Sequence, residues 1–395
     1  MLNRCDFAVE HVIRVSFASS GERQLLSCPA ECFYAEGRVQ LVPMTIVVGT
    51  GRCGSTMLSR ILQMHPDVLS LSEFWNVFRD NGGSLPVRDI PLHEMTGEEY
   101  WQRITKCDPY HDSMNIVGLE EYPRGGRFDP ATGVPVICRT LAPLTSDFEA
   151  VYDKLAASVP SWPRRPMAAQ CSALFADLAT MLGRRVIVER SGGSAGMVPM
   201  LRQQFPEARF VFLHRDGQDS ALSMSRHPSF RLILIKMAAE AIGSPSAAEI
   251  PLPPEIRAAK PEDLKGVAEP PFDADRFMSY PLPLTSFGWF WSWLTRTGTS
   301  DISEVPHDRL MTMRYELILA NAHAELTRLA GFIGVPAERR WLDEAAKFVD
   351  SGRAGGAATK LHPIALAELR AACASGTRAY ELLESRHAAA TNSSS

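Results

Sequence analysis

Residues 46–58 combine three features in a row: a short β-branched strand, a turn rich in glycine, and the start of a helix. Gly49, Gly51 and Gly54 lie in the turn, and Ser55 follows it. The first backbone N–H groups of a helix have no partner within the helix, so they can bind an anion there. The stretch therefore predicts an α/β unit with a phosphate or sulfate site between strand and helix. A tight structural turn is the alternative.

The turn keeps the glycine spacing of a nucleotide-binding loop but lacks the lysine of that loop. Gly49 and Gly54 have the G-x-x-x-x-G spacing, whereas Ser55 stands where a lysine would reach the β and γ phosphates. Arg52 is the only cation in the turn, and its planar guanidinium suits a pair of terminal phosphate or sulfate oxygens. We therefore expect an anion site that works without magnesium or another metal.

A second segment far downstream has the same organisation. Residues 209–213 are an apolar, strand-like run, and residues 214–226 predict a turn and a helix. Ser220 and Ser223 are three positions apart and share one helix face, with Arg215 at the start of the helix. Such a face can bind a further phosphate. A solvated helix start with a structural Arg–Asp pair is the alternative.

Together the two segments resemble the sulfotransferases that use 3′-phosphoadenosine 5′-phosphosulfate. Residues 52–56 match the R-S-G-T-T loop of that family, with Cys53 and Ser55 as departures, and Arg215 through Ser223 match its R-D-x-x-x-x-x-x-S segment for the 3′-phosphate. Residues 314–316 are similar to the family's R-Y-E-D-L segment. The resemblance extends over about residues 44–380 and implies donor binding by both segments.

Within the family, the chain is most similar to the branch that includes tyrosylprotein and many bacterial sulfotransferases. In that branch a glutamate after the second strand is the general base, and here residues 68–71 predict a strand that ends beside Glu73. Ligands of an open parallel sheet lie beyond the carboxyl ends of its strands. The resemblance therefore implies that Glu73 is the base; a surface glutamate is the alternative.

The resemblance also implies a role for several basic and glycine-rich positions. Arg190 stands where the family usually has a lysine that stabilises the bridging oxygen, and Arg52 is the other catalytic cation. If Arg190 acts by charge alone, lysine would replace it well, whereas a bidentate role would make lysine a poor substitute. Residues 351–360 resemble the glycine-rich loop that closes over the donor. The implied donor-binding residues are Gly51, Arg52, Cys53, Gly54, Ser55, Thr56, Arg215, Ser223, Tyr315, Thr359 and Lys360.

We expect one elaborated α/β domain with a three-layer, P-loop-like fold: a central parallel sheet with helices on both faces. This sulfotransferase domain would span residues 44–387, after a strand-rich N-terminal extension at 1–43 and before a flexible tail at 388–395. Two inserts, at about 79–166 and 227–284, would interrupt it. Both are candidates for the acceptor pocket, because they would lie on the carboxyl-end side of the sheet.

The inserts differ in their predicted local structure. The first predicts helices at 97–105 and 145–157, whereas the density of proline in the second excludes regular helix through much of its length and suits a covering loop. An aromatic cluster at 287–294 follows the second insert. It either lines the acceptor pocket or is part of the core.

Composition limits the classes of partner. A formal net charge of −4 and a pI of about 6.2 give no overall basic field that would draw the chain to nucleic acid or an anionic membrane. No apolar window approaches the length of a membrane span, and the N-terminus lacks a signal-like segment, so we expect a cytoplasmic location. The eight cysteines show no zinc spacing and are interpreted as reduced thiols. Cys53, beside Arg52 at a helix start, is expected to be a reactive thiolate.

The expected activity is sulfuryl transfer from 3′-phosphoadenosine 5′-phosphosulfate to a hydroxyl of a small-molecule, carbohydrate or lipid acceptor, with 3′-phosphoadenosine 5′-phosphate as product. A P-loop small-molecule kinase is one alternative, although the loop lacks its lysine and no magnesium aspartate follows a later strand. A non-catalytic nucleotide-binding protein is another, against which the carboxylate of Glu73 argues. The sequence leaves the acceptor and the oligomeric state open.

Overall fold

The fold is given by a computed structural model that describes residues 41–78, 93–106, 136–241, 267, 271–350, 352 and 354–393. The predicted N-terminal extension, apart from 41–43, and the central parts of both predicted inserts lie outside these residues. The described strands are β1 (Met44–Val48), β2 (Val68–Ser72), β3 (Glu94–Met95), β4 (Arg165–Pro166), β5 (Val186–Arg190), β6 (Arg209–His214) and β7 (Leu310–Arg314).

The main α-helices lie between these strands and after the last of them. They are α1 (Ser55–Gln63), α2 (Gly97–Thr105), α3 (Phe148–Ser158), α4 (Met167–Met181), α5 (Val198–Gln204), α6 (Gly217–Met224), α7 (Pro228–Ala241), α8 (Ala274–Ser279), α9 (Leu284–Ile302), α10 (Tyr315–Ala320), α11 (Ala322–Ile333), α12 (Arg339–Phe348), α13 (Gly356–Lys360) and α14 (Pro363–Ser393). Helix α14 thus includes most of the segment predicted to be a flexible tail. None of the helices described is both long and apolar enough to cross a bilayer.

Five of the strands form a parallel sheet in the order β2-β5-β1-β6-β7. Strand β1 therefore lies between β5 and β6, and the register places Arg190 beside both Val47 of β1 and Ser72 of β2. Strands β3 and β4 form a separate antiparallel pair. The topology brings the segments after β1, β2, β5 and β6 to one edge of the sheet, where an open α/β sheet binds its ligands.

Successive side chains of each strand point to opposite faces of the sheet, and a hydrophobic core lies on each face. Ile46 and Phe212 belong to a cluster that includes helix α4, whereas Val47 and Val211 belong to a second cluster with α1, α11 and α12. A strand buried on both faces is apolar throughout, which explains the uninterrupted β-branched run of β1. The predicted three-layer fold, with a central parallel sheet and helices on both faces, is confirmed.

The first predicted insert contains the two expected helices. Helix α2 begins after Thr96, whose side chain forms a capping box with Glu99, and it has the predicted bounds. Helix α3 begins at Phe148 rather than at 145, because the hydroxyl of Thr145 accepts a hydrogen bond from the Asp147 N–H in the turn that precedes it.

The second predicted insert differs from the expectation at its start. Helix α7 occupies its first residues, where the expected loop would begin, because the proline-dense part lies downstream and Pro228 is tolerated at the first helical position. In the aromatic segment that follows, Phe287, Phe290 and Trp291 are fully buried in a third core cluster that also contains α6 and α14. The core-packing interpretation therefore holds for these three residues.

Candidate active site

The loop between β1 and α1 has the backbone geometry of an anion cradle. Gly51, Arg52 and Gly54 all have positive φ angles, of 79°, 53° and 88°. Such successive turns direct several N–H groups toward one point. Helix α1 starts at Ser55, and its N-cap residue Gly54 offers no side-chain cap. Gly54 therefore gives the first N–H groups of α1 no side-chain cap, and a helix start of this kind can bind an anion.

Close packing explains two of the glycines. A Cβ atom on Gly49 would lie 2.7 Å from the carbonyl oxygen of Leu213, so strand β6 passes directly behind the loop. A Cβ atom on Gly54 would overlap the ring of Tyr315. The loop can therefore pack this closely against β6 and α10 only because Gly49 and Gly54 have no side chains.

The two predicted anion-binding segments meet in space. Arg52 Nε donates to Ser223 Oγ at 3.0 Å, and Arg215 Nη1 donates to the carbonyl oxygen of Arg52 at 3.3 Å. The guanidinium carbon of Arg215 also lies 4.7 Å from the ring centroid of Tyr315. Because β1 and β6 are neighbours in the sheet, Arg52, Arg215, Ser223 and Tyr315 form one cluster at its carboxyl edge.

Glu73 occupies the expected position just beyond β2, in an unusual backbone conformation. Its φ is +54°, in the left-handed region that few residues other than glycine adopt, and such outliers concentrate at functional sites. The carboxylate accepts hydrogen bonds from the Gly192 N–H at 3.0 Å, from Asn76 Nδ2 and from Arg190 Nη1. The side chain is 19% exposed, so donors fix the carboxylate while part of it remains accessible.

Arg190 lies at the carboxyl end of β5, with its side chain only 4% exposed. Besides its ion pair with Glu73, it donates from Nη2 to Ser72 Oγ at 2.6 Å. Its Nε is buried and has no hydrogen-bond partner among the residues described. A buried guanidinium with one N–H group that has no acceptor among the described residues is suited to donate a hydrogen bond to an anionic oxygen of a ligand.

The remaining predicted donor-binding residues lie around the same cluster. Ser55 is buried and Thr56 is exposed at the first turn of α1. Thr359 and Lys360 are exposed on the short helix α13. This helix is joined to α6 through Asp219, whose carboxylate accepts hydrogen bonds from the N–H groups of Gly355 and Ala357. The structure thus brings the C-terminal glycine-rich segment to α6, the helix that contains Ser223 and directly follows Arg215.

Two expectations about this region are wrong. Cys53 is completely buried, and this burial raises the pKa of its thiol above the usual value, so the proximity of Arg52 does not produce a reactive thiolate. Ser220 is also completely buried and does not accompany Ser223 at the anion site. The helix face at 220 packs into the core, whereas Ser223 contacts the loop.

Sequence reasoning missed Asn76 as a partner of Glu73, Ser72 as a partner of Arg190, and Asp219 as the link to α13. Asn76 lies three residues after Glu73 in a single helical turn, a spacing that allows contact. Asp219 is four residues after Arg215, so the helical spacing also indicates that pair. No local signal identifies the bonds from Asp219 to residues 355 and 357, which are 136 and 138 positions away.

Part of the sequence matches the model of a known protein family. Residues 43–233 match the model of the sulfotransferase family. This part of the chain is similar to the sulfotransferase family. No curated relative matches the chain. The matched residues include the loop between β1 and α1, Glu73, Arg190, Arg215 and Ser223.

Solved sulfotransferase structures resemble the protein at low sequence identity. A sulfotransferase domain from the curacin biosynthetic pathway is 14% identical, with a TM-score of 0.44 and coverage of 84% of this chain and 98% of that domain. A sulfotransferase from Alicyclobacillus acidocaldarius is 16% identical, with a TM-score of 0.38 and coverage of 87% and 95%.

Proposed function

We propose that this protein is a sulfotransferase that uses 3′-phosphoadenosine 5′-phosphosulfate as donor and a hydroxyl group as acceptor. The hydrogen bond between Arg52 and Ser223 is the observation that carries the proposal. A donor with anionic groups on both the 5′ and the 3′ oxygens of one ribose needs two neighbouring anion sites. The loop before α1 and the segment 215–223 are in direct contact, which supports their assignment as these two sites.

The residues present fit this donor. The positive-φ loop and the uncapped start of α1 offer N–H groups for the 5′ group, with Arg52, Ser55 and Thr56 beside them. Arg215 and Ser223 would hold the 3′-phosphate, with Tyr315, Thr359 and Lys360 nearby. When bound, the donor supplies a sulfuryl group activated by a nucleotide phosphate as leaving group.

Glu73 is proposed as the general base. It would accept the proton of the acceptor hydroxyl, which requires a carboxylate held within hydrogen-bond reach of that hydroxyl. The three donors around its carboxylate fix the side chain, and its 19% exposure leaves an approach for a substrate group. A general base held in place in this way contributes roughly 100-fold or more to turnover.

Arg190, with Arg52 and the loop N–H groups, is proposed to stabilise charge on the leaving oxygen. Arg190 Nε has no partner among the described residues, so this N–H can reach a new acceptor while the other two nitrogens keep theirs. A donor placed at the site of developing charge is worth about 3 kcal/mol.

Radiolabelled sulfate donor would test the activity directly. The enzyme would be incubated with labelled donor and separate pools of phenols, carbohydrates and lipid alcohols, the acceptor classes that present a suitable hydroxyl. We expect label in one pool with the wild type and with Glu94→Gln, which alters an exposed glutamate, but not with Glu73→Gln. Equal labelling by wild type and Glu73→Gln would remove Glu73 from the mechanism. A cytoplasmic location stays a prediction.

A further inference from the structure

Asp219 makes contacts that connect two distant parts of the chain. Its side chain is 2% exposed, and its two carboxylate oxygens accept hydrogen bonds from different backbone groups. Oδ1 accepts from the Ala357 N–H at 2.7 Å, and Oδ2 accepts from the Gly355 N–H at 2.8 Å. Oδ2 also lies 3.5 Å from Arg215 Nη2. The buried carboxylate is therefore satisfied by two amides and one cation.

The segment that Asp219 binds is short and begins at a glycine. Gly355 has a φ of +70° and caps helix α13 without a side-chain hydrogen bond. Ala357 is buried, whereas Thr359 and Lys360, further along the same short helix, are exposed. A five-residue helix is too short to be stable on its own. Asp219 thus acts as the N-terminal cap of α13 from another helix.

Arg215 is held from two sides. Asp219 lies on one side, and the carbonyl oxygen of Arg52, in the phosphate loop, accepts from Nη1 on the other. The contact with Asp219 therefore limits the positions of the guanidinium that the proposed function assigns to the 3′-phosphate. The same carboxylate sets the distance between Arg215 and the segment that carries Thr359 and Lys360.

We propose that Asp219 is a positioning residue that sets the affinity for the 3′-phosphate end of the donor, an inference that rests on the proposed function. It acts by holding residues 355–360 and Arg215 in a fixed relation and does not itself touch the donor. Loss of the carboxylate would release both, so a ligand with a 3′-phosphate should bind more weakly. A ligand without that phosphate should be affected little.

A different role would give the opposite result. If the N–H groups of Gly355 and Ala357 were themselves an anion site that Asp219 fills in the absence of ligand, removing the carboxylate would free them. Binding of a 3′-phosphate would then become tighter. The direction of the change in affinity therefore separates the two roles.

Titration calorimetry with 3′-phosphoadenosine 5′-phosphate and adenosine 5′-phosphate tests the proposal. The proteins compared are wild type, Asp219→Asn, Asp219→Ala and the control Asp343→Asn, which alters an exposed carboxylate on α12. The single side-chain oxygen of asparagine can accept only one of the hydrogen bonds from the Gly355 and Ala357 N–H groups, and alanine can accept neither. We expect the Kd of the bisphosphate to rise about tenfold in Asp219→Asn and further in Asp219→Ala, from lost hydrogen bonds of about 1.5 kcal/mol each. The Kd of adenosine 5′-phosphate should change less than twofold.

Gly355→Ala provides a second test of the positioning role if the Asp219 variants do not fold. An added Cβ has open space at this position, but alanine is strained at a φ of +70°, so the segment should shift without a change in α6. This variant should also bind the bisphosphate several-fold more weakly. Unchanged or tighter bisphosphate binding in a folded variant would overturn the positioning role. If the wild type binds both nucleotides equally, the proposed donor itself is wrong.

Discussion

Arg190 Nη1 donates to Glu73 Oε1, so the cation proposed for the leaving oxygen and the proposed base form one ion pair. The pair joins the carboxyl ends of β2 and β5, because Ser72 and Arg190 are register partners. Asn76 and the Gly192 N–H hold the other carboxylate oxygen. Two residues that the sequence assigned to separate steps are therefore coupled through one contact.

Glu73→Gln should separate catalysis from donor binding. The amide is close in shape to the carboxylate but cannot accept a proton at neutral pH, so turnover should fall about 100-fold or more. The Kd of 3′-phosphoadenosine 5′-phosphate should stay within about threefold of the wild type, because Glu73 is not assigned to the donor. Steady-state kinetics and calorimetry measure the two effects, with Glu94→Gln as control. Near-normal turnover would exclude Glu73 as the base.

Arg190→Lys should be a poor substitute, since the structure uses two guanidinium nitrogens on two different acceptors. A lysine ammonium would keep the charge but lose the fixed fork that spans Glu73 and Ser72. Losing one charge-assisted hydrogen bond of about 1.5 kcal/mol corresponds to a roughly tenfold lower kcat. Arg190→Met should lose far more in kcat than in donor affinity.

The same two variants decide between charge and geometry at position 190. Activity of Arg190→Lys close to that of the wild type would show that charge alone suffices. An unchanged kcat in Arg190→Met would show that the residue is structural. Thermal unfolding should accompany the kinetics, because removing the cation leaves the largely buried Glu73 carboxylate without its ionic partner.

The sequence predicts the strand ends of this site better than the contacts between them. Uninterrupted apolar runs locate β1 and β6, and the strand patterns place Arg190 at the end of β5 and Glu73 and Arg215 just beyond β2 and β6. The side-chain partners depend on tertiary packing, so the Glu73–Arg190 ion pair and the bonds of Asp219 have no local signal. Cys53 shows the same limit: its helix-start position favours a thiolate, but burial against the neighbouring strand dominates.

Cys53 should react slowly with thiol reagents in the native enzyme. The thiol is fully buried and burial raises its pKa, so both access and thiolate fraction are low. Peptide mapping after N-ethylmaleimide treatment should show at least about tenfold slower labelling of Cys53 in buffer than in urea. Equally rapid labelling in both conditions would contradict the buried environment.

His214 should make the protein sensitive to acid. Its ring stacks on Tyr380 at 3.5 Å, and burial, aided by nearby Arg314, lowers its pKa to about 3. Between about pH 6.5 and pH 3 the unfolded chain therefore binds a proton that the native state does not. The free energy of unfolding is therefore unaffected by His214 above about pH 6.5. Below that pH it falls by up to about 1.4 kcal/mol per pH unit.

Urea unfolding at pH 7.5 and 5.5 checks this assignment. His214→Phe keeps an aromatic ring against Tyr380 but cannot bind a proton, so it should lose less stability between the two pH values than the wild type. His362→Gln, at an exposed histidine, should behave like the wild type. The same loss in His214→Phe and wild type would show that other groups control the acid sensitivity.

The donor assignment is tested most directly by titrating the wild-type enzyme with 3′-phosphoadenosine 5′-phosphate in the presence of EDTA, and separately with ATP and magnesium. Arg52 contacts both Arg215 and Ser223, and the three are proposed to form adjoining anion sites. A missing charge-assisted phosphate contact costs about 1.5 kcal/mol or more. The bisphosphate should therefore bind at least about tenfold more tightly than ATP with magnesium, and EDTA should not weaken it. Equal or tighter binding of ATP with magnesium would contradict the account and favour a kinase.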